Sequence, residues 1–218
     1  MTDKPAIKIV QYFWGEQNTA YELGRLINAT YCRRHGYHHI VKKFPPRPDR
    51  ACLWEKLPAI RQELHHCDYL LYLDADAFFY SHELTVELEL IPFLENKQIL
   101  MAADIASETI RRDPTVPNSG VILIRCSQRA EEILRIWDES SERPELEHYR
   151  FGFYHEQEAC WKTVWLDYAD DFQMLHDYYM MNGYYGMYIR HLMAMPDEQR
   201  KSILQDFMQK RHGLFETS

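Results

Sequence analysis

The sequence has no surplus of positive charge. Its 25 Lys and Arg residues are outnumbered by 33 Asp and Glu, which leaves a net charge of -8. There is no basic block, so a nucleic-acid-binding face is excluded, because neutralising phosphates takes a Lys/Arg-rich surface. No apolar run is long enough to span a bilayer, and the polar start Met1-Thr2-Asp3-Lys4-Pro5 is not a signal peptide. No CxxC pair occurs. The five cysteines, at 32, 52, 67, 126 and 160, are scattered and odd in number, and read as reduced, buried thiols of a cytoplasmic protein. A Gly-rich, basic phosphate loop is missing after the first strand, where Trp14-Gly15-Glu16-Gln17 is a poor candidate. That disfavours a nucleotide-sugar pyrophosphorylase or a similar metal-dependent phosphoryl enzyme. No repeat or low-complexity linker divides the chain. With 218 residues, 46% of them hydrophobic, it reads as a single domain over 1–218 with a full core.

What the chain does have is concentrated in residues 68–80. Tyr69-Leu70-Leu71-Tyr72-Leu73 is apolar and aromatic, the composition of a strand buried on both faces. It ends in two carboxylates one residue apart, Asp74 and Asp76. A strand running on through them would bury two like charges, which is costly without a counter-charge. The strand therefore stops at Leu73, and the two aspartates sit on a turn at its carboxyl end, where open α/β sheets place ligands. Two such carboxylates suit a hard divalent cation, Mn²⁺ or Mg²⁺, which also holds phosphates. An acidic protein that handles a phosphorylated ligand needs such an intermediary.

The remaining elements surround this strand. Residues 7–13 read as a first strand, 18–34 as a helix closed by Gly36, and 37–41 as a second strand. Prolines make 44–49 a loop. Helices are expected at 53–66 and 83–94, and a strand at 99–104. Residues 107–117 form an excursion, 118–120 a turn and 121–125 a buried strand. Ser127 caps a helix to about 140, and 142–153 is irregular. A short helix over 155–165, a short strand at 172–176, a loop over the site at 178–187 and a helix over 196–211 complete the chain. Strands alternate with helices in the first half, which predicts an α/β fold with a parallel sheet.

Five features occur in order: Trp54-Glu55-Lys56 on a helix; the strand into Asp74-Ala75-Asp76-Ala77; Asn118-Ser119-Gly120-Val121; Glu156-Gln157-Glu158-Ala159; and Ile189-Arg190-His191. In this order and spacing the chain resembles the GT-A glycosyltransferases with an Asp-x-Asp motif. The resemblance is strongest to the yeast α-galactosyl- and α-mannosyltransferases and plant xyloglucan xylosyltransferases, and it covers roughly 7–191. It implies a nucleotide-diphospho-sugar transferase fold, mostly parallel with flanking helices. The donor-binding half would be about 1–104 and the acceptor or catalytic half about 105–218. The implied reaction moves a sugar from a UDP-sugar to a glycan hydroxyl, with retention.

The same resemblance assigns residues. Asp74 and Asp76 would hold Mn²⁺ and, through it, the diphosphate. His191 would be the third ligand, although by spacing alone it reads as a loop histidine. Gln11, Tyr12 and Phe13 end the first strand, where such enzymes hold the base; core aromatics are the equal alternative for the two rings. Lys56 would approach the diphosphate or pair with the acidic turn, and Ala75 lies between the two aspartates. Asn118, Ser119 and Gly120 would lie beside the transferred sugar, with Gly120 permitting close backbone approach. Glu156 and Gln157 would flank the anomeric carbon, Gln157 beside the oxocarbenium-like centre and Glu156 orienting hydroxyls. With Asp76 they are the expected catalytic residues. Double displacement through a carboxylate, and an inverting reaction with Asp104 or Glu156 as base, are the enzymatic alternatives. A carbohydrate-binding module without catalysis would not need the acidic turn. The chain departs from its relatives by lacking their N-terminal anchor, consistent with a cytoplasmic enzyme or one domain of a longer polypeptide. It also has no Lys in Leu192-Met193-Ala194-Met195-Pro196, so Arg190, Arg200 or Lys201 would have to grip the diphosphate.

Overall fold

The computed structural model describes residues 4–15, 18–104, 116–152, 155–176, 180–211, 213 and 215. The excursion expected at 107–117 lies, up to residue 115, outside the described residues, as does the start of the loop expected at 178–187.

Ile7–Tyr12 forms β1. Helix α1, Thr19–His35, follows. Its Asn18 N-cap side chain accepts from the Ala20 amide, and Gly36 closes it in the left-handed region at φ 72, a conformation glycine adopts at little cost. His38–Lys42 is β2. The long helix expected at 53–66 is instead a 3₁₀ turn, Cys52–Glu55, leading into a short α2, Lys56–Arg61. Pro58 has no N–H to donate back to Trp54, so the chain closes a tighter turn before the helix begins.

Tyr69–Leu73 is β3, and Ala77–Phe79 is a short β4 immediately after the acidic turn. The single helix expected over 83–94 is broken at Leu90 into α3, Val86–Glu89, and α4, Ile91–Leu94. Pro92 removes the N–H that would bond back to Leu88 and so interrupts the ladder. Next come β5, Ile99–Ala103, and β6, Pro117–Arg125. Asn118, Ser119 and Gly120, expected to form a turn, lie inside β6 opposite the end of β5, across a register shift at Met101/Ala102. Their polar groups are satisfied by other side chains, and this overrides the local turn preference.

Gln128–Glu139 is α5, capped as expected by Ser127. In the stretch expected to be irregular, Glu147–Phe151 forms α6. The expected helix at 155–165 is α7, His155–Ala159, a π-helical turn over Cys160–Val164, and α8, Trp165–Asp167. Phe172–Leu175 is β7, Ile189–His191 is β8 and Asp197–Lys210 is α9.

Six strands make the central sheet in the order β2-β1-β3-β6-β5-β7. β6 runs antiparallel to both its neighbours, and the other pairings are parallel. The fold is thus the expected mostly parallel α/β sheet with one reversed central strand.

Alternation along the strands fills both faces. Leu70, Tyr72, Met101, Ile122 and Ile124 pack with Leu57, Ile60, Ile133 and Trp137. Leu71, Leu73, Leu100, Val121 and Leu123 pack on the other side with Tyr31, Phe79 and Tyr188. β4 and β8 form a separate two-stranded ribbon. The buried Asn28 of α1 fastens it: its amide donates to the Ala77 carbonyl at 3.0 Å and its oxygen accepts the Phe79 N–H at 3.0 Å. No described helix is long and apolar enough to cross a membrane. All five cysteines are free. Cys32 and Cys160 are buried, but Cys67 and Cys126 are only partly so and Cys52 is exposed, which corrects the expectation of uniformly buried thiols.

Candidate functional site

The site forms where β3 runs out. The Asp74 amide donates to the Gly120 carbonyl at 2.7 Å, and the Ala77 amide donates back to the Asp74 carbonyl at 2.9 Å, which closes the turn. β4 then leaves the turn and pairs with β8, so that Ala77 faces His191 across the ribbon. Backbone pairing of residues far apart in sequence thus delivers the imidazole to the carboxylates. His191 Nε2 lies 3.1 Å from Asp76 Oδ1 and 3.8 Å from Asp74 Oδ2. One ligand atom from each of the three falls within 4.8 Å of the others, a set that can hold a divalent ion.

Two residues fix the imidazole. The Asn182 side-chain oxygen lies 3.0 Å from His191 Nδ1 and also accepts the Gly183 amide at 2.9 Å. An oxygen can only accept, so Nδ1 carries the proton and Nε2 faces the carboxylates. Behind the ring lies Gly120. A Cβ built there would fall 1.9 Å from His191 Cε1, so only glycine leaves room for the imidazole. The close approach expected at Gly120 is made by this side chain.

Lys56 holds the other side of Asp74. Its ammonium is buried, 3.0 Å from Asp74 Oδ1, 2.8 Å from Glu156 Oε1 and 3.1 Å from the Ser119 carbonyl. The Tyr72 hydroxyl donates to Asp74 at 3.0 Å. Of the two sequence readings of Lys56, pairing with the acidic turn is the one observed. Glu156 and Gln157 are buried at the start of α7, whose position is set by the Trp137 indole donating to the Glu156 carbonyl at 2.7 Å. Ser119 Oγ donates to Glu156 at 2.8 Å, and the Ser119 amide donates to Gln157 Oε1 at 3.0 Å. The Gln157 amide donates to Asp104 at 3.3 Å, and the Asn118 amide reaches the other Asp104 oxygen at 3.1 Å. Each polar side chain of this wall is thereby oriented by another.

Arg200 comes from α9. It lies 2.9 Å from Asp76 Oδ2, donates to the Leu192 carbonyl at 3.0 Å and reaches the Tyr21 hydroxyl at 3.2 Å. Of the three cations considered for the diphosphate, Arg200 is the one in the cavity. Arg190 stacks over Tyr80, and Lys201 lies near Glu198.

Burial favours the neutral form of Asp74 and, although Lys56 and His191 oppose it, holds its carboxyl above the ordinary range. Burial acts on Asp76 in the same direction, but His191 and Arg200 outweigh it and hold Asp76 below that range. For His191, burial disfavours the charged ring, yet Asp76 and Asp74 more than offset it and its value lies above the usual 6.5. Lys56 is likewise raised: Asp74 and Glu156 outweigh the burial that would lower it.

These groups surround a cavity of about 430 Å³. Tyr12, Lys56, Asp74, Ala75, Asp76, Asp104, Asn118, Ser119, Gly120, Glu156, Gln157 and His191 all line it, joined by Tyr21, Tyr184 and Arg200. Gln11 is placed behind the wall, fully buried between His39 and the Asp74 carbonyl. Phe13 packs edge-on to Tyr21 and lines a neighbouring recess of about 250 Å³. Sequence reasoning missed Asn182, Tyr72 and Tyr184. Tyr72 shares strand parity with Asp74 and was legible in principle, but Asn182-Gly183 has only the local signature of a turn.

A mostly parallel α/β sheet with an Asp-x-Asp turn at the end of a central strand, opening into a cavity, defines a GT-A glycosyltransferase. The sequence pattern of the galactosyl transferase GMA12/MNN10 family matches residues 27–162, and the chain belongs to that family. A glycosyltransferase involved in glycosylating the major capsid of PBCV-1 is similar in structure, with TM-score 0.73 and 17% identity over 93% of this chain and 100% of that one. The apo form of glycosyltransferase GlyE from Streptococcus pneumoniae is similar with TM-score 0.56 and 15% identity, over 95% of this chain and 64% of that one. No curated protein matches the sequence.

Proposed function

We propose that this chain transfers a hexose or pentose from a UDP-sugar to a glycan hydroxyl with retention of configuration, using Mn²⁺ or Mg²⁺ held by Asp74, Asp76 and His191. The observation that carries this reading is the convergence of those three side chains beside the Lys56–Glu156–Gln157 wall of one cavity. The donor set fits the ion: two carboxylates and an imidazole whose Nε2 faces them and ligates once the ring is neutral, with hard and borderline donors in the proportion Mn²⁺ accepts. When bound, the ion supplies positive charge that offsets what accumulates on the departing diphosphate.

The chain's own residues supply the rest. Arg200 adds a second positive charge at the diphosphate end. Tyr12 and Tyr21 provide an aromatic wall for the base. Lys56 bridges Asp74 and Glu156 with one buried ammonium, which offsets the repulsion between the two carboxyl groups. Gln157 is neutral and held at both ends of its amide, so it is suited to lie against an oxocarbenium-like centre rather than attack it. Front-face attack, with the leaving phosphate taking the acceptor proton, therefore fits this wall better than double displacement. One observation favours a second reading. Asp104 lines the cavity with no cation against it among the described residues, so it is the candidate base for an inverting reaction.

The test is nucleotide release and transfer from a panel of UDP-sugars with Mn²⁺, followed by the anomeric proton coupling of the product. Release abolished by EDTA and product of unchanged configuration are expected. Metal-independent release would refute the metal assignment, and inverted product would transfer the catalytic role to Asp104.

Two further outcomes follow from His191. Its imidazole must be neutral to ligate, while in the metal-free protein its raised pKa favours the imidazolium beside Asp76. Metal affinity is therefore expected to rise with pH between about 6 and 8. The metal-free protein shows the opposite trend from this group: the stabilisation is complete below the unfolded value and is lost as pH rises through the folded one. Mn²⁺ titration and thermal unfolding across that range check both signs. Asn182→Leu, nearly isosteric but unable to accept, is expected to weaken Mn²⁺ binding about 10- to 100-fold, as loss of an imidazole-orienting partner does. Asn182→Asp keeps the acceptor and is expected to retain binding. Equal affinities in the two variants would remove the orienting role.

A further inference from the structure

Beyond Tyr184 and Ala194, which line both, a second cavity of about 610 Å³ adjoins the first. Phe207 of α9 is buried at its floor. Tyr184 and Tyr185 stand on its rim, 36% and 78% exposed. Tyr80 forms one wall, and two guanidinium groups flank its ring, with Arg190 Cζ 3.3 Å and Arg211 Cζ 5.6 Å from the centroid. Neither arginine has a carboxylate at salt-bridge distance among the described residues. The lining acid, Asp206, is paired with Lys210 at 2.8 Å. The cavity is therefore locally cationic in a chain of net charge -8.

Three features need a common explanation. Two like charges share one aromatic ring with no counter-ion among the described residues, an arrangement that cation–π contacts support only in part. Two tyrosines are exposed at the mouth of a concave site, where aromatic faces are used to cover apolar faces of ligands. The site also opens against the cavity where transfer takes place. Arginine forks match carboxylate, sulfate or phosphate oxygens, and tyrosine faces match the C–H faces of pyranose rings. We propose that this second cavity is a subsite for an anionic saccharide, which holds the acidic part of the acceptor while its reactive hydroxyl enters the donor cavity past Tyr184. As an acceptor subsite it rests on the UDP-donor reading above; as a binding site it does not.

The experiment measures binding of tetragalacturonate, a chondroitin sulfate tetrasaccharide and neutral cellotetraose by calorimetry at low salt, with the Mn²⁺–UDP thermal shift measured on the same samples. At least one anionic tetrasaccharide is expected to bind about tenfold or more tighter than cellotetraose, and which of the two does so identifies the acid group. Arg211→Gln and Tyr185→Ala, which line the second cavity and not the first, are each expected to weaken that binding about fivefold or more. Both are expected to leave the thermal shift unchanged. Equal binding of charged and neutral sugars, or anion binding indifferent to both substitutions, overturns the proposal even when the Mn²⁺–UDP shift is present. Anion binding that responds to both substitutions in a protein showing no Mn²⁺–UDP shift keeps the subsite and refutes the donor reading instead.

Discussion

Gly120→Ala is expected to weaken Mn²⁺ binding at least about 100-fold and to abolish transfer, while the sheet stays folded. The reason is space. The added methyl would sit 1.9 Å from Cε1 and 2.5 Å from Nδ1 of His191. Gly120 lies in β6, held by the Asp74 amide on its carbonyl and by Asn118 on its own amide at 2.9 Å, so the backbone has little freedom to retreat. The imidazole must move instead, and in moving it leaves both Asn182 and the carboxylates. The stability cost should be that of overpacking, about 1–3 kcal/mol. Two controls isolate the cause. Gly24→Ala in α1 meets nothing closer than 3.7 Å and should bind metal as the parent does. Gly120→Ala combined with His191→Ala should regain stability but not metal. Calorimetric Mn²⁺ titration with urea unfolding measures both quantities, and undiminished affinity in the single variant would show that the ring is not confined.

Lys56→Met is expected to cost about 3–5 kcal/mol of stability, the scale of leaving a buried charge unpaired. The ammonium is 2% exposed and lies between Asp74 and Glu156, so methionine fills its volume but leaves two carboxylates facing each other. The pH dependence carries a definite sign. Asp74 already lies above the ordinary carboxylate range because it is buried, and Lys56 opposes that rise. Without Lys56 it climbs further, so the folded state binds a proton that the unfolded state releases. Stability of the variant should therefore increase as pH falls from about 7.5 towards 5, more steeply than in the parent. Adding Glu156→Gln should recover part of the loss at neutral pH and none of the activity. Urea unfolding in the presence of EDTA checks these outcomes without interference from metal. A loss below about 1 kcal/mol would mean that solvent already reaches the site.

Much of this site could be read from the chain before folding. The run 69–73 into Asp74 and Asp76 announces itself because apolar strands seldom end in paired carboxylates without a use for them. Asn18 and Gly36 bound α1 by chemistry that operates within a few residues. What escaped depends on contacts between distant residues. β4 and β8 have three residues each, too short for any periodicity, and are strands only because Ala77 and His191 meet. Asn182 looks like a turn former until the ring it holds is in place. Arg200 could not be chosen over Arg190 and Lys201 until Leu204 and Phe207 were seen packed with Ala20 and Ile27, which sets α9 against α1. The misplaced turn at 118–120 has the same origin, since partners on β5 and α7 outweigh local preference.

The ribbon joining Ala77 to His191 also sets an order of events during synthesis. The strands β1, β2, β3, β5, β6 and β7 all precede residue 176, so a nascent chain can assemble the whole central sheet while its aspartates still lack their imidazole. Closing the ribbon spans more than half the chain, a contact whose entropic cost is met only once the rest is in place. Emergence of β8 from the ribosome is thus the step that completes the cluster of Asp74, Asp76 and His191, and a half-made chain lacks its third side chain.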